Sequence, residues 1–511
     1  MKCFDHLIIG AGIGGTYLAA RLKKIKPTDS IIIMDKNSEF GGLQTSIKTY
    51  DGVTIELGPA SFYESIHVRI KALAEKYKTP LIEYLPSLDG QVAYLRGKQY
   101  KMTNLFPESD ESYHIDEEEK GKDPLVLLEN NLRKLIPKVD DLYTLEGRID
   151  LSKNNKQFST RSFQDLAQME ISQENFQRIL DILGFEDIIT LKSSFLTVLT
   201  LLRFLYLSNK SQKQFRFKDG YSSLTKKIAK HNKIEIIPLK KINKNISKTC
   251  CVFNTEIVKI KKSKYDNVWI VTYGKTKVNS IEQINNNVTK IKKIKVKNIY
   301  YTGSTKILTR IYDFNNEYQN YFKNSFIPIN AVKIYLRFSE DWMTNNGIGL
   351  GKSVSTLSGC QIIHYAEKYV LFSIFGSQSN VLHNKIPSLK QIQKKLIKPT
   401  IETYPLLEEC IKILKKTFNI TEFPEVTDLA WATWIEPVKI HAARNLQSLD
   451  DSDTVFTMTN KVMFPFGRSG NFYIMSNEIG LSAGWCDGSV ENVDYFLHNK
   501  YNQKLFGPDM L

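Results

Sequence analysis

The chain has 511 residues, of which 42% are apolar and 24% are charged. This composition is typical of a globular protein of roughly three structural units, and it excludes a collagen, a disordered tail or a disulfide-stapled secreted module. The formal net charge is +16. Because the lysines are spread over many segments rather than clustered with aromatic residues, we expect no nucleic-acid partner.

The cysteines and the apolar runs exclude further classes. The six cysteines form no CxxC pair and no Cys/His ligand spacing, so we expect no metal site. Scattered thiols favour a reducing intracellular compartment such as the cytoplasm. No segment reaches the roughly 20 apolar residues that a membrane span requires, so we expect no integral membrane association.

The first 35 residues predict a strand, a glycine turn, a helix and a second strand. An apolar strand over 4–9 runs into a GxGxxG motif, and a strand over 30–34 ends at Asp35. Glycines let the backbone approach a pyrophosphate, the helix N-terminus offers free N–H groups, and the acid accepts hydrogen bonds from a ribose. The sequence therefore predicts a dinucleotide site that includes Gly10, Gly12, Gly15 and Asp35.

Helical and extended patterns alternate along the rest of the chain. We expect paired short strands within 43–57, a polar loop over 107–123, and a low-complexity loop insertion over 275–297, which is rich in Lys, Asn and Ile. The other expected strands lie at 251–261, 268–273, 298–303, 331–338, 369–375 and 471–476. The expected helices lie at 64–78, 124–136, 163–208, 221–230, 388–417, with a break near Pro399 and Pro405, and 488–498.

Several segments resemble the flavin-dependent amine oxidase and protoporphyrinogen oxidase superfamily. Residues 35–42, DKNSEFGG, are similar to its acid-x5-Gly-Gly segment, although Leu43 stands where the family usually has arginine. Residues 56–59, ELGP, look most like the protoporphyrinogen oxidase branch, in which the Gly-Pro backbone lies near the isoalloxazine ring. Gly220 resembles part of a Gly-Gly-x-x-x-Leu segment, and Val258 matches a valine whose backbone meets the adenine.

The end of the chain resembles the amine oxidases. Residues 484–491, GWCDGSVE, are similar to a Gly-aromatic-x-acid-Gly-Ala-x-Glu segment of that family. A helix opening there would direct its positive dipole end toward the flavin pyrimidine edge. Glu478 matches an acid that binds the ribityl or phosphate region, although Ser476 replaces a glycine usually found nearby.

The resemblance implies a non-covalently bound FAD, because no cysteine occupies the position of the family's flavinylated cysteine. The implied cofactor contacts are Gly10, Gly12, Gly14, Gly15, Asp35, Lys36, Gly41, Gly42, Leu43, Gly58, Pro59, Val258, Glu478, Cys486, Ser489 and Val490.

Two residues are implied to act in catalysis. Lys333, on an alternating segment, is similar to the amine oxidase lysine that holds a water against flavin N5, and it equally fits the solvated face of a strand. Trp485 occupies the position of an aromatic-cage residue that flanks an amine, and it equally fits a core tryptophan. A second aromatic group is expected either to line the same pocket or to be packing: Trp431, Trp434, Pro437 and His441.

The predicted fold is α/β, with an FAD-binding Rossmann-like domain built on a parallel sheet and interleaved with a mixed-sheet plus helical substrate domain. We assign residues 1–85, 216–305 and 430–511 to the FAD-binding domain, and residues 86–215 and 306–429 to the substrate domain. The chain would therefore cross repeatedly between the two domains.

The resemblance implies an amine-oxidase-like FAD-dependent oxidoreductase. It would oxidise a C–H next to nitrogen in a small molecule by hydride transfer to flavin N5, with O2 as the acceptor. Two alternatives stay open. Residues 56–59 favour a protoporphyrinogen-oxidase- or desaturase-like dehydrogenase, whereas Leu43 and Ser476 favour a non-catalytic binding or structural protein on a degenerate flavin fold.

Overall fold

The computed structural model describes residues 2–136, 142, 144–184, 194–196, 198, 213–242, 249–276, 288–357, 359–376, 382–386, 392–393, 395–441, 454–480, 482 and 486–503. Trp485 lies outside these residues, as does most of the predicted helix over 163–208 beyond Gly184.

The strands, in chain order, are β1 (Cys3–Ile9), β2 (Ile31–Met34), β3 (Ser46–Lys48), β4 (Thr54–Glu56), β5 (Phe62–Tyr63), β6 (Leu81–Tyr84), β7 (Val92–Leu95), β8 (Lys98–Lys101), β9 (Gln214–Phe217), β10 (Glu235–Ile236), β11 (Cys250–Val252), β12 (Thr255–Lys262), β13 (Trp269–Thr276), β14 (Val288–Tyr301), β15 (Phe326–Phe338), β16 (Gly351–Ser355), β17 (Cys360–Ala366), β18 (Tyr369–Phe375), β19 (Val426–His441) and β20 (Phe472–Ile474). The helices are Ile13–Ile25, Val68–Lys76, Leu105–Glu108, Asp110–Tyr113, Pro124–Leu135, Leu145–Asn154, Lys156–Thr160, Phe163–Ala167, Gln173–Leu183, Ser222–His231, Thr305–Ile311, Asn316–Ser325, Trp342–Asn345, Tyr404–Phe418, Val455–Met463 and Cys486–Tyr501.

The first sheet contains the predicted strand-helix-strand unit. Its order is β10-β11-β2-β1-β14-β13-β12, and β20 pairs with the end of β14. Neighbours in the series β10, β11, β2, β1 and β14 pair in parallel, as do β14 and β20. The pairs β12–β13 and β13–β14 are antiparallel. Every residue of β2 is fully buried, as is usual for a parallel strand covered on both faces. The carboxyl ends of β1, β2, β14 and β20 therefore share one edge, where such sheets bind ligands.

The second sheet has the order β19-β15-β18-β17-β16-β7-β8. One of its faces packs against the helix Tyr404–Phe418 through a core that includes Ile334, Phe372 and Leu414. The opposite face carries Lys333 and Tyr335, because side chains alternate along a strand. This face meets the segment that follows β4, so it forms a floor beneath the edge of the first sheet.

The structure confirms the predicted α/β class and most of the expected strands. The expected loop over 275–297 is wrong for residues 288–297, which belong to β14. The reason is that lysines alternate with apolar residues there, so that Ile294 and Val296 are buried while the lysines stay near solvent. The polar stretch 107–123 includes parts of two short helices and is otherwise turns.

Two further expectations need correction near the second sheet. Residues 395–403 are not helical: Ile397 bridges Leu429, and the helix begins at Tyr404 with Pro405 in its first turn, where proline is tolerated. Residues 430–441 lie in β19 and pair with β15 in the second sheet, not in the first. We propose the same two interleaved domains with this boundary moved past His441.

No helix of the part that the structure describes has the length and apolarity needed to cross a bilayer.

Candidate cofactor and active site

The opening glycine turn leaves an uncapped helix N-terminus at the edge of the first sheet. Gly10 has a φ of +114°, and a Cβ on Gly15 would lie 2.0 Å from the Gly10 carbonyl oxygen, so both positions require glycine. Gly12 is the N-cap of the helix Ile13–Ile25, and no side chain caps its N–H groups. Uncapped N–H groups beside glycines, which carry no side chain to keep a ligand from the backbone, fit a pyrophosphate.

The acid at the end of β2 is held against this turn. Asp35 accepts hydrogen bonds from the Ala11 N–H at 2.6 Å and the Asn37 N–H at 2.7 Å. Its carbonyl oxygen accepts the Thr255 N–H from β12, in which Val258 lies at a β-bulge. The structure therefore places Asp35 beside the glycine turn, as the predicted ribose site requires. Burial lowers the pKa of the neighbouring Lys36, an effect that the Asp35 carboxylate opposes.

The second glycine pair is layered against the first. The Gly41 N–H donates to the Ala11 carbonyl, and a Cβ on Gly42 would lie 3.2 Å from the Gly12 Cα. A Cβ on Gly58 would lie 1.8 Å from the Leu43 carbonyl oxygen, so the Gly58-Pro59 backbone passes directly over residue 43. The Leu43 side chain has no donor for a phosphate, but its backbone supports this layer.

The end of the chain returns to the opening turn. A Cβ on Gly14 would lie 3.4 Å from the Ser489 carbonyl oxygen in the helix Cys486–Tyr501. The Gln44 side-chain amide donates to the Cys486 sulfur at 3.4 Å, and Val490 is fully buried. The two chain ends therefore meet at one edge of the sheet. Burial raises the pKa of the Cys486 thiol to about 12, so it is neutral at physiological pH.

Glu478, for which the resemblance implies a cofactor contact, also holds the start of another helix. It is buried and accepts hydrogen bonds from the Thr305 N–H at 3.0 Å and from the Thr305 hydroxyl. It thereby holds the start of the helix Thr305–Ile311. Ser476 is anchored separately, since its carbonyl oxygen accepts the Asn492 amide at 2.8 Å.

Lys333 reaches from the second sheet to the Gly58 segment. Its ammonium donates to the Gly58 carbonyl oxygen, and the Trp434 indole N–H donates to the Leu57 carbonyl oxygen at 2.8 Å. The Tyr335 hydroxyl donates to the Glu56 carbonyl oxygen at 2.9 Å and accepts the Glu56 N–H at 3.1 Å. Three side chains of β15 and β19 thus hold the backbone of residues 56–58. Burial lowers the pKa of Lys333 to about 8, an effect that Glu56 opposes.

Glu56 is a buried acid that sequence reasoning did not assign to the site. Its carboxylate accepts the Ser46 hydroxyl at 2.8 Å and the Tyr221 N–H at 2.8 Å. Burial raises its pKa to about 8, against the opposing effects of these bonds and of the Lys333 and Arg216 charges. Gly220 makes the approach of Tyr221 feasible, because a Cβ there would lie 2.4 Å from the Ser46 Cβ. An acid between the apolar residues Ile55 and Leu57 was the available signal.

Comparisons with known proteins agree with this geometry. Residues 8–77 match the family model of an NAD(P)-binding Rossmann-like domain. No curated protein matches the sequence. The structure is similar to cyclohexylamine oxidase from Brevibacterium oxydans IH-35A, with 13% identity, 98% of this chain and 99% of that chain covered, and a TM-score of 0.58. The chain has the flavin amine oxidase fold. A putrescine oxidase variant with a redesigned cofactor site gives 12% identity, 98% and 100% coverage and a TM-score of 0.63.

This fold confirms the predicted resemblance. The structure also shows where each of the predicted site residues lies. The glycines, Asp35 and Ser489 converge at the sheet edge, and Lys333 converges on Gly58. Trp431 is packing, because it lies in the core on the opposite face of the second sheet. The side chains of Pro437 and His441 are outside the described part of the structure, as is the whole of Trp485.

Proposed function

We propose that the protein is an FAD-dependent oxidoreductase of the amine oxidase type, acting on a small molecule with O2 as acceptor. The observation that carries the proposal is the Lys333 ammonium at the Gly58 carbonyl, on the floor beneath the cofactor edge. In the net reaction the amine loses two electrons and two protons to become an imine, and O2 gains them as hydrogen peroxide. Water then converts the imine to a carbonyl compound and releases the nitrogen as ammonia or an amine.

The chain offers fitting places for the pyrophosphate and a ribose of FAD. The uncapped N-terminus of the helix Ile13–Ile25 would hold the pyrophosphate, and Asp35 would hold the ribose. When bound, the flavin supplies the hydride acceptor that the side chains lack. The neutral thiol of Cys486 is a poor nucleophile, which favours non-covalent binding. All six cysteines are free thiols, which supports a reducing compartment.

Lys333 supplies a fixed positive charge in a site of low polarity. Its pKa of about 8 leaves it mostly protonated at neutral pH. A preorganised cation of this kind stabilises the negative charge that develops as oxygen is reduced, without reorganising solvent. The hydrogen bonds of Trp434 and Tyr335 keep the Gly58 backbone, and therefore the ammonium, in position.

The experiment has two stages. The purified protein should be yellow, and acid precipitation should release the flavin into the supernatant. A screen of amines, amino acids and porphyrinogens for peroxide should then find a substrate. In stopped flow, Lys333→Met should slow reoxidation by O2 about a hundredfold, the loss typical of removing one preorganised group.

Lys352→Met is the matched control. Lys352 is also a half-buried lysine on the same face of the second sheet. It lies three strands from Tyr335, which is about 14 Å. Its reoxidation rate should equal that of the unmodified protein. A colourless protein that refuses added FAD would overturn the proposal in favour of a binding protein. An unchanged rate in Lys333→Met would favour a dehydrogenase with another acceptor.

A further inference from the structure

Arg216 is clamped between two tyrosine rings on the floor of the site. Its guanidinium carbon lies 3.6 Å from the ring centre of Tyr84 and 4.2 Å from that of Tyr365. One N–H donates to the Tyr365 carbonyl oxygen at 2.9 Å. Two rings at these distances fix the plane of the guanidinium, so its remaining N–H groups have set directions.

The charge of Arg216 has no carboxylate partner among the residues described. Every other described arginine with a buried or half-buried side chain has one within 4 Å: Arg21, Arg69, Arg148, Arg178 and Arg337. The Arg216 Nε is buried and lacks a hydrogen-bond acceptor in the described structure. Arginines that are withdrawn from solvent are usually paired, so the half-buried Arg216 differs from these five and needs an explanation.

Glu56 forms no ion pair with Arg216 in the described structure. The two residues are near enough for the Arg216 charge to lower the pKa of Glu56 against the larger effect of burial. Both Glu56 oxygens, however, are already engaged by Ser46 and Tyr221. The same proximity links Arg216 to Lys333, whose pKa its charge also lowers. Lys333 and Arg216 therefore both lie near Glu56, whose two carboxylate oxygens already accept hydrogen bonds from other donors.

We propose that Arg216 binds a carboxylate of the substrate, so that the substrate is an amine that also carries an acid group. The inference rests on the proposed function and narrows its substrate class. A planar guanidinium with a fixed orientation matches a carboxylate through two parallel N–H···O bonds. The added negative charge also offsets the repulsion that a simple cationic amine would meet from Lys333 and Arg216.

Calorimetry with a matched pair of small probes tests the site without turnover. Benzoate carries the carboxylate, and benzamide is its neutral counterpart of the same shape. We expect the purified protein to bind benzoate at least about tenfold more tightly than benzamide, as one charge-assisted pair allows. Arg216→Met should abolish this preference and leave benzamide binding unchanged, and Arg216→Lys should restore part of it.

Lys352→Met serves again as the control for a general effect of positive charge, and it should keep the full preference. Equal binding of the two probes, absence of benzoate binding, or a preference that survives Arg216→Met would overturn the proposal. An equal loss in Lys352→Met would also overturn it, because the effect would then belong to the field of the sheet face. Arg216→Gln repeats the test if Arg216→Met does not fold.

A second readout separates this proposal from the proposed function. Flavin absorbance reports the cofactor independently of the probes. A colourless protein that prefers benzoate would sink the oxidase assignment and keep the carboxylate site, whereas a yellow protein without the preference would do the reverse. Loss of flavin from Arg216→Met at full stability would show that the arginine serves the cofactor. With active enzyme, Arg216→Met should lower kcat/KM for phenylalanine relative to 2-phenylethylamine about tenfold.

Discussion

Two regions of this molecule contain charged side chains withdrawn from solvent, and they differ in whether those side chains form ion pairs. An ionic network, formed by Arg69, Arg148, Asp487, Glu491 and Asp494, joins the closing helix to the helix Val68–Lys76. Arg69 lies 3.0 Å from the Glu491 carboxylate and 3.4 Å from that of Asp487. The cationic site, formed by Lys333, Arg216 and Glu56, has no ion pair within 4 Å among the described residues.

We interpret the difference as one between a structural role for the ionic network and the ligand-binding role proposed for the cationic site. In the ionic network Asp487 also accepts the N–H groups of Arg69 and Ile70 at 2.9 and 3.0 Å, so it caps the helix Val68–Lys76 from across the fold. The charges there satisfy one another and fix the two helices. Incomplete pairing in the cationic site costs folding free energy, and such costs persist where a ligand supplies the missing partner.

The largest expected effect is on the network. Arg69→Met removes a buried cation that lies within 4 Å of Asp487, Glu491 and Asp494, so it should lower the free energy of unfolding by about 3–5 kcal/mol. Arg148 still pairs with Glu491 and Arg21 with Asp494 in this variant. Urea unfolding followed by tryptophan fluorescence measures this loss. The network also positions the helix that meets Gly14, so flavin affinity should fall with stability.

Lys120→Met is the control, because Lys120 pairs with Glu117 and both side chains are exposed. Exposed pairs of this kind contribute little to the free energy of unfolding. Equal losses in the two variants would contradict the distinction between the regions.

The second prediction concerns the pH dependence of stability. Because Glu56 has its pKa raised from 4.5 to about 8 in the folded state, the unfolded chain loses its proton first as the pH rises. Glu56 therefore makes stability fall between about pH 4.5 and pH 8, and the effect is constant outside that window. Glu56→Gln should flatten this slope, and its advantage over the unmodified protein should grow across the window. Parallel stability curves for the two proteins would show that Glu56 titrates normally.

The sequence predicts the glycine turn at the edge of the first sheet better than it predicts the cationic site. Gly10, Gly15 and Asp35 belong to one continuous unit, so their spacing encodes the geometry directly. The cationic site depends on the pairing of β15 with β19 and on their contact with residues 56–58, which are about 275 positions from Lys333. No local pattern reports such a contact, and Arg216 lies on a short strand without a motif.

The same limit explains the misplaced elements. The Lys/Asn/Ile-rich composition hid the first part of β14, although its alternation of lysine with Ile294 and Val296 suits a strand with one buried face. Residues 430–441 show the apolar content of either sheet, and only the register with β15 assigns them to the second. Composition describes the class of a segment, whereas its partner is fixed by tertiary structure.

The smallest expected effect on the free energy of unfolding comes from an arginine-to-methionine substitution in the cationic site. It compares the two regions directly, because Arg69→Met makes the same substitution in the ionic network. Arg216→Met removes a cation that has no carboxylate partner in the described part of the chain, and it keeps an apolar side chain between Tyr84 and Tyr365. The lost cation–π contacts and the lost hydrogen bond are offset by the end of an uncompensated charge, so the free energy of unfolding should change by less than about 1 kcal/mol. Measured beside Arg69→Met in the same urea titration, the two variants should differ severalfold. A loss in Arg216→Met as large as that in Arg69→Met would mean that this arginine is already paired in the folded protein, and that its charge is architectural as well.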